Sequence, residues 1–223
     1  MEIIGMILLG LAVYGIVCFF QKREKQTIPS LVRIHYPFFA IDVETANKNK
    51  NSICSIAIAW IENNKVYARQ WYVKPPTTYF EFTYLHNITY DMVKDMPTFD
   101  IVWTTKIAPL VKSKFLAAHY AHFDMKAIDD TLRFYNLSIR KNNFIIYDSC
   151  IASREAFPKL PNHKLNTVCS YLQIPLDHHD ALSDVMACAN ILNIINTKCP
   201  RAISSMLFDQ VTDKQMYNSY FFK

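Results

Sequence analysis

Apolar and polar positions along the chain divide it into short strands followed by alternating elements. Residues 38–43, 52–61 and 66–73 read as three strands, the second with β-branched alternation. Glu62-Asn63-Asn64-Lys65 joins the last two as a hairpin turn, and Pro75-Pro76 stops the third. Thr89 caps a short helix through residue 94, and Pro97-Thr98 opens another with Phe99, Val102, Lys106 and Leu110 along one side. Residues 115–118 and 144–147 give a fourth and a fifth strand. Helices follow over 125–135, 149–157, 164–172 and 181–195. This order predicts an α/β fold, a central mixed sheet flanked by helices, with no internal repeat and no low-complexity segment.

Residues 3–20 break the pattern: IIGMILLGLAVYGIVCFF is an uncharged run of 18 residues, apolar on every face. That length is at the lower end of what spans a bilayer as a helix. Glu2 is the only charged side chain before it and no Ala-x-Ala follows, so it reads as an uncleaved transmembrane helix rather than a signal peptide. Lys22, Arg23 and Lys25 flank its C-terminal side, which orients a single-pass membrane protein with its remaining chain in the cytoplasm. The expected organisation is an anchor and basic flank over 1–26, a linker over 27–36, one globular domain over 37–198 and a tail over 199–223.

Composition adds less. The net charge of +5 is compatible with a polyanionic partner without demonstrating one. Six cysteines with no C-x-x-C pair read as reduced, buried small hydrophobes, which excludes a zinc site and a disulfide framework.

The candidate chemistry lies at the edges of apolar runs: Asp42 and Glu44 in FFAIDVET, Asp124 in LAAHYAHFD, His179 and Asp184 in HDALSD. Asp42 and Glu44 are two apart on a strand and share one face. Hard divalent cations want oxygen ligands, so such a cluster can hold Mg²⁺ or Mn²⁺. On one continuous helix positions 179 and 184 lie about 140° apart, so they converge only if His179 precedes the helix. Asp180 as N-cap and Ala181 in the first turn make that start chemically sensible, and His178 is the rival histidine. Asp148 at a strand end reads as a cap for the following helix, and His119 as structural.

In these residues the chain resembles the DEDDh exonucleases, the group that includes bacterial proofreading subunits, oligoribonuclease and RNase T. Asp42-Val43-Glu44-Thr45 is similar to the family's first motif, and His119-Tyr120-Ala121-His122-Phe123-Asp124 to its second, with tyrosine where asparagine is usual. His179-Asp180-Ala181-Leu182-Ser183-Asp184 keeps the spacing of the histidine branch. Leu85-His86-Asn87-Ile88-Thr89 resembles a segment that packs near the terminal nucleotide. The match runs from about residue 38 to 195 and implies a ribonuclease H-like exonuclease fold. It also implies two Mg²⁺ or Mn²⁺ ions per site, with Asp42, Glu44, Asp124 and Asp184 as ligands, Glu44 also near the nucleophilic water and His179 as general base. Substrate contacts would fall to Thr45, His86, Ile88, Tyr120 and Phe123. The implied activity is 3′→5′ hydrolysis of single-stranded DNA or RNA ends to nucleoside monophosphates. Two alternatives stay open: a membrane-tethered nucleic-acid-binding module without turnover, and a polymerase-associated proofreading subunit. For the latter, Gln215 to Phe222 bears only a loose likeness to clamp-binding peptides, lacking an aliphatic residue at Asn218.

Overall fold

The computed structural model describes residues 34, 37–113, 115–139 and 144–221. The anchor expected at residues 3–20, its basic flank and most of the linker lie outside the described residues. Among the described residues no helix is long and apolar enough to cross a membrane.

Six strands, β1 (Phe39–Thr45), β2 (Ile53–Glu62), β3 (Lys65–Tyr72), β4 (Phe115–Ala118), β5 (Ile145–Asp148) and β6 (Ser205–Leu207), form one mixed sheet in the order β3-β2-β1-β4-β5-β6. The hairpin between β2 and β3 closes through Asn63 (φ 49°) and Asn64 (φ 60°), both left-handed, as a two-residue turn matching strand twist requires. β1 runs antiparallel to β2 and parallel to β4, which is parallel to β5. The C-terminal ends of β1, β4 and β5 therefore open on one edge of the sheet, where crevices form in α/β folds.

Alternation assigns the side chains of β1 to two layers. Phe39, Ile41 and Val43 join Ile56, Ile58, Leu116 and Ile146 in one core layer. Phe38 and Ala40 join Ala57, Ala59 and Ala117 in the other, under Val185, Ala189 and Leu192. Asp42 and Glu44 continue the second row, so the face that packs against a helix over most of its length turns acidic at its end. The small residues of that face let the helix backbone approach closely.

That helix is α7 (Ala181–Lys198), preceded by α4 (His122–Phe134), α5 (Ser149–Ala156) and α6 (Leu165–Leu172). Of the short helices α1 (Thr83–His86), α2 (Tyr90–Val93) and α3 (Phe99–Val102), the third adds Phe99 and Val102 to the first layer and continues as a wider π-type turn over Trp103–Ile107. Thr89 stands at the N-cap of α2 in extended backbone but makes no side-chain cap bond. α7 outruns its expected end because nothing between residues 195 and 198 breaks a helix before Pro200.

The largest difference from the sequence pattern is at the C-terminus. The segment expected as a tail supplies β6, which pairs antiparallel with β5, and then α8 (Phe208–Thr212) and α9 (Lys214–Phe221). Met206, Phe208, Val211 and Tyr217 enter the first core layer. A three-residue strand is too short to show a two-residue period, and its buried residues are spaced across two short helices, so no periodic signal announces them.

Candidate active site

Each carboxylate reaches the open edge by a different local device. Asp42 and Glu44 come from the end of β1, where the register with β2 shifts between Glu44 and Thr45 and the pairing skips Cys54. The extra residue, Cys54, lies on β2, so the bulge bends that strand where it pairs with the end of β1. Asp124 lies in the first turn of α4 and Asp184 in the first turn of α7. Asp180 caps α7 by accepting from the Ser183 N–H at 3.3 Å, an interaction worth about 1 kcal/mol. The helix therefore begins where the sequence geometry requires, and His179 stands before it, at φ 72°.

The ligand atoms of Asp42, Glu44 and Asp184 lie within 4.8 Å of one another. Asp124 adjoins them, its Oδ1 accepting from the Val43 N–H at 3.1 Å. Burial, then the charges of Asp124, Glu44 and Asp184, raise the Asp42 pKa well above the usual carboxylate range. Burial followed by Asp184 and Asp124 raises Glu44 in the same way, and burial raises Asp124 against the lowering pull of the Val43 N–H. Asp184 is raised by burial and partly relieved by His178. Four acidic groups that disfavour one another's charge form a site whose chemistry suits a small, hard dication.

The two histidines divide their contacts. His178 Nδ1 stands 3.2 and 3.3 Å from the two oxygens of Asp184, whereas His179 reaches the same carboxylate through its backbone N–H at 3.2 Å. Their rings stack with centroids 4.0 Å apart. Burial and the neighbouring His178 lower the His179 pKa, favouring the neutral ring. His178, His179 and Asp184 also form a second group of possible metal ligands.

A cavity of about 710 Å³ includes this cluster, and Thr45, Phe82, Leu85, Tyr120 and Phe123 are among the residues that line it. Tyr120 is 42% exposed, and Lys50 Nζ lies 3.4 Å from the centroid of the Phe123 ring. His86 and Ile88 are not among the residues lining this cavity. His86 is buried, accepts from the Ile88 N–H at Nδ1, and so donates from Nε2 to the Thr45 carbonyl at 3.2 Å. Ile88 packs with Cys54 and Val93. Both line a smaller cavity of about 100 Å³ that Glu44, His178 and His179 also line, and His86 holds the end of β1.

The lining of the larger cavity also includes Arg154, Asn162, His163 and Lys164, which the sequence pattern did not single out. Arg154 is one turn along α5 from Cys150, which lines the same cavity, so a face of α5 was the available signal. His119 holds this part of the lining: Nε2 donates to the His163 carbonyl at 3.0 Å, leaving Nδ1 to accept from the Ser149 hydroxyl at 2.8 Å. Asp148 caps α5, accepting from the Cys150 and Ile151 N–H groups.

A family model described as Exonuclease (RNase_T) matches residues 39–192. The chain is similar to the PolC-type DNA polymerase III of Caldanaerobacter subterraneus subsp. tengcongensis, with 29% identity over 188 residues, 79% of this chain and 13% of that protein. It thus spans about an eighth of the length of this relative. Among solved structures it shares the fold of a 3′-exonuclease that recognises a histone mRNA stem-loop, with TM-score 0.61 and 19% identity over 78% of this chain and 92% of the other. It also shares the fold of E. coli exonuclease I in complex with a dT13 oligonucleotide, with TM-score 0.60 and 16% identity over 75% and 42%.

The repulsion within the cluster has a measurable effect on stability. With divalent ions chelated, Asp42→Asn removes one of the mutually repelling groups and should raise the melting temperature; ~1 kcal/mol corresponds to roughly 2–4 °C in a domain of this size. Differential scanning calorimetry in EDTA checks this, and a lower melting temperature would show that Asp42 is held by compensating contacts instead.

Proposed function

The chain belongs to the exonuclease family, and from that membership we propose that it is a divalent-metal-dependent enzyme removing nucleoside monophosphates from the 3′ end of a single strand. The observation that carries this reading is the convergence of Asp42, Glu44 and Asp184 in a cavity that is also lined by aromatic rings and by basic groups.

An all-oxygen set of carboxylates destabilised by its own charge fits Mg²⁺ or Mn²⁺. In this reading Asp42, Glu44 and Asp184 hold one ion and Asp124 supports a second; when bound, the pair supplies water activation and charge stabilisation on the phosphoryl and leaving oxygens. His179 takes the proton of the attacking water, for which its lowered pKa keeps a neutral, accepting ring at neutral pH. The loop before α7 leaves that ring free of the helix. His178, at Asp184, orients the carboxylate. Tyr120, Phe123 and Phe82 offer faces on which an unpaired base can stack, a contact worth about 1–3 kcal/mol per base. Arg154 and Lys164, which line the same cavity, attract the phosphate backbone. Thr45, buried at the strand end, bounds the cavity beside the carboxylates.

Similarity to PolC-type DNA polymerase III supports a second, compatible reading in which the enzyme proofreads beside a polymerase. The hydropathy of residues 3–20 and their basic flank support a membrane location with the catalytic domain in the cytoplasm. The full chain should then sediment with membranes and resist carbonate extraction; release of the full chain into the carbonate supernatant would remove the anchor from the account.

Substituting the site residues separates the roles. Asp42→Ala, Glu44→Ala, Asp124→Ala and Asp184→Ala should each lower Mn²⁺-dependent hydrolysis of a single-stranded oligonucleotide by about two orders of magnitude or more, with the fold retained. His179→Ala should slow the chemical step by about 100-fold while strand binding persists. His178→Ala should have the smaller effect. A silent His179→Ala beside a damaging His178→Ala would transfer the base to His178.

A further inference from the structure

Asp148 stands at a junction that capping alone does not explain. Besides the two N–H groups of α5, it accepts from the Tyr120 N–H at 3.3 Å and the Ala121 N–H at 2.7 Å. The Tyr217 hydroxyl, 69 residues away on α9, donates to the same carboxylate at 2.5 Å. Tyr217 is fully buried, and burial and Asp148 raise its pKa, so the hydroxyl stays a donor. Its ring meets Tyr120 edge-on at 5.6 Å and His122 at 5.4 Å, and His122 Nδ1 donates to the Val211 carbonyl at 2.7 Å.

These bonds surround a strained residue. Tyr120 has φ 66°, a left-handed conformation that asparagine adopts readily and a bulky aromatic does not. A residue held there costs about 1–3 kcal/mol and persists only where its surroundings over-determine it. Tyr120 also lines the main cavity.

We propose that Tyr217 is a positioning residue for the active site: delivered by α9, it braces Asp148 and the Tyr120 ring, so that the C-terminal helix shapes the wall against which the terminal base lies. The inference rests on the reading of the cavity as a nucleic-acid site. α9 is itself firmly placed, since Asp213 caps it by accepting from the Gln215 N–H at 2.9 Å and the Met216 N–H at 3.2 Å.

A double-mutant cycle on the full chain tests it, with two readouts: anisotropy of a labelled single-stranded dT oligonucleotide, and amide hydrogen exchange. Tyr217→Phe keeps the ring and loses the hydroxyl, and should weaken oligonucleotide binding about fivefold. Tyr217→Leu, which loses both, should weaken it further. In a Tyr120→Ala background Tyr217→Phe should have no added effect, because its route to the substrate is gone. Exchange should rise at the amides of Tyr120 and Ala121 in Tyr217→Phe, with the sheet unchanged. Unchanged exchange at these two amides overturns the proposal, as does a binding loss of equal size in both backgrounds. Should the wild-type chain bind no oligonucleotide, the nucleic-acid reading fails, and the exchange of the two amides still decides whether Tyr217 braces the loop.

Discussion

Mutual repulsion among partly buried carboxylates is the constraint around which this fold is arranged. Asp42, Glu44, Asp124 and Asp184 each lie where burial disfavours charge, and the charges of Asp124 and Asp184 raise the pKa values of Asp42 and Glu44 further. The chain makes the arrangement tolerable by placing Asp124 and Asp184 in first helical turns, where the aligned backbone dipoles favour negative groups. Backbone N–H groups of Val43 and His179 offset part of the remaining cost. An all-oxygen set of this kind suits a divalent cation, and the proposed chemistry follows from that match.

The sheet sets the position of the cluster and the second layer of contacts sets its precision. Apolar alternation along β1 fixes which face Asp42 and Glu44 occupy, and the alanines of the same face bring α7 close enough for Asp184 to meet them. His119 and Asp148 then tie the wall of the cavity to α5 and to the loop before α4. Through Tyr217 the same network extends to the end of the chain, which is why the C-terminal segment belongs with the site in structural terms.

Most of this was legible in the sequence where a feature had a period or a spacing. The first five strands show as apolar runs, the Asn63-Asn64 turn as a residue pair that accepts positive φ, and the start of α7 through Asp180. The carboxylates and His179 stood out by position and by resemblance. The missed features have no periodic signature: β6 is three residues long, and Arg154 and Lys164 are single cations that only the folding of α5 and α6 brings to one cavity. His86 and Ile88 were expected near substrate; they line a small cavity with Glu44 and His179, and both ring nitrogens of His86 are engaged by backbone groups. Tyr120 was visible as a departure from the family motif, and its left-handed backbone explains why the departure needs support.

The most direct measurement of the central claim is the order in which products leave a uniformly single-stranded oligonucleotide labelled separately at its 5′ and 3′ ends. With Mn²⁺ supplied, the account requires nucleoside 5′-monophosphates from the 3′ label at the earliest times, while the 5′-labelled strand shortens as a ladder; a 3′-terminal phosphorothioate should slow both. Internal cleavage, release beginning at the 5′ end, or hydrolysis undiminished by EDTA would contradict it.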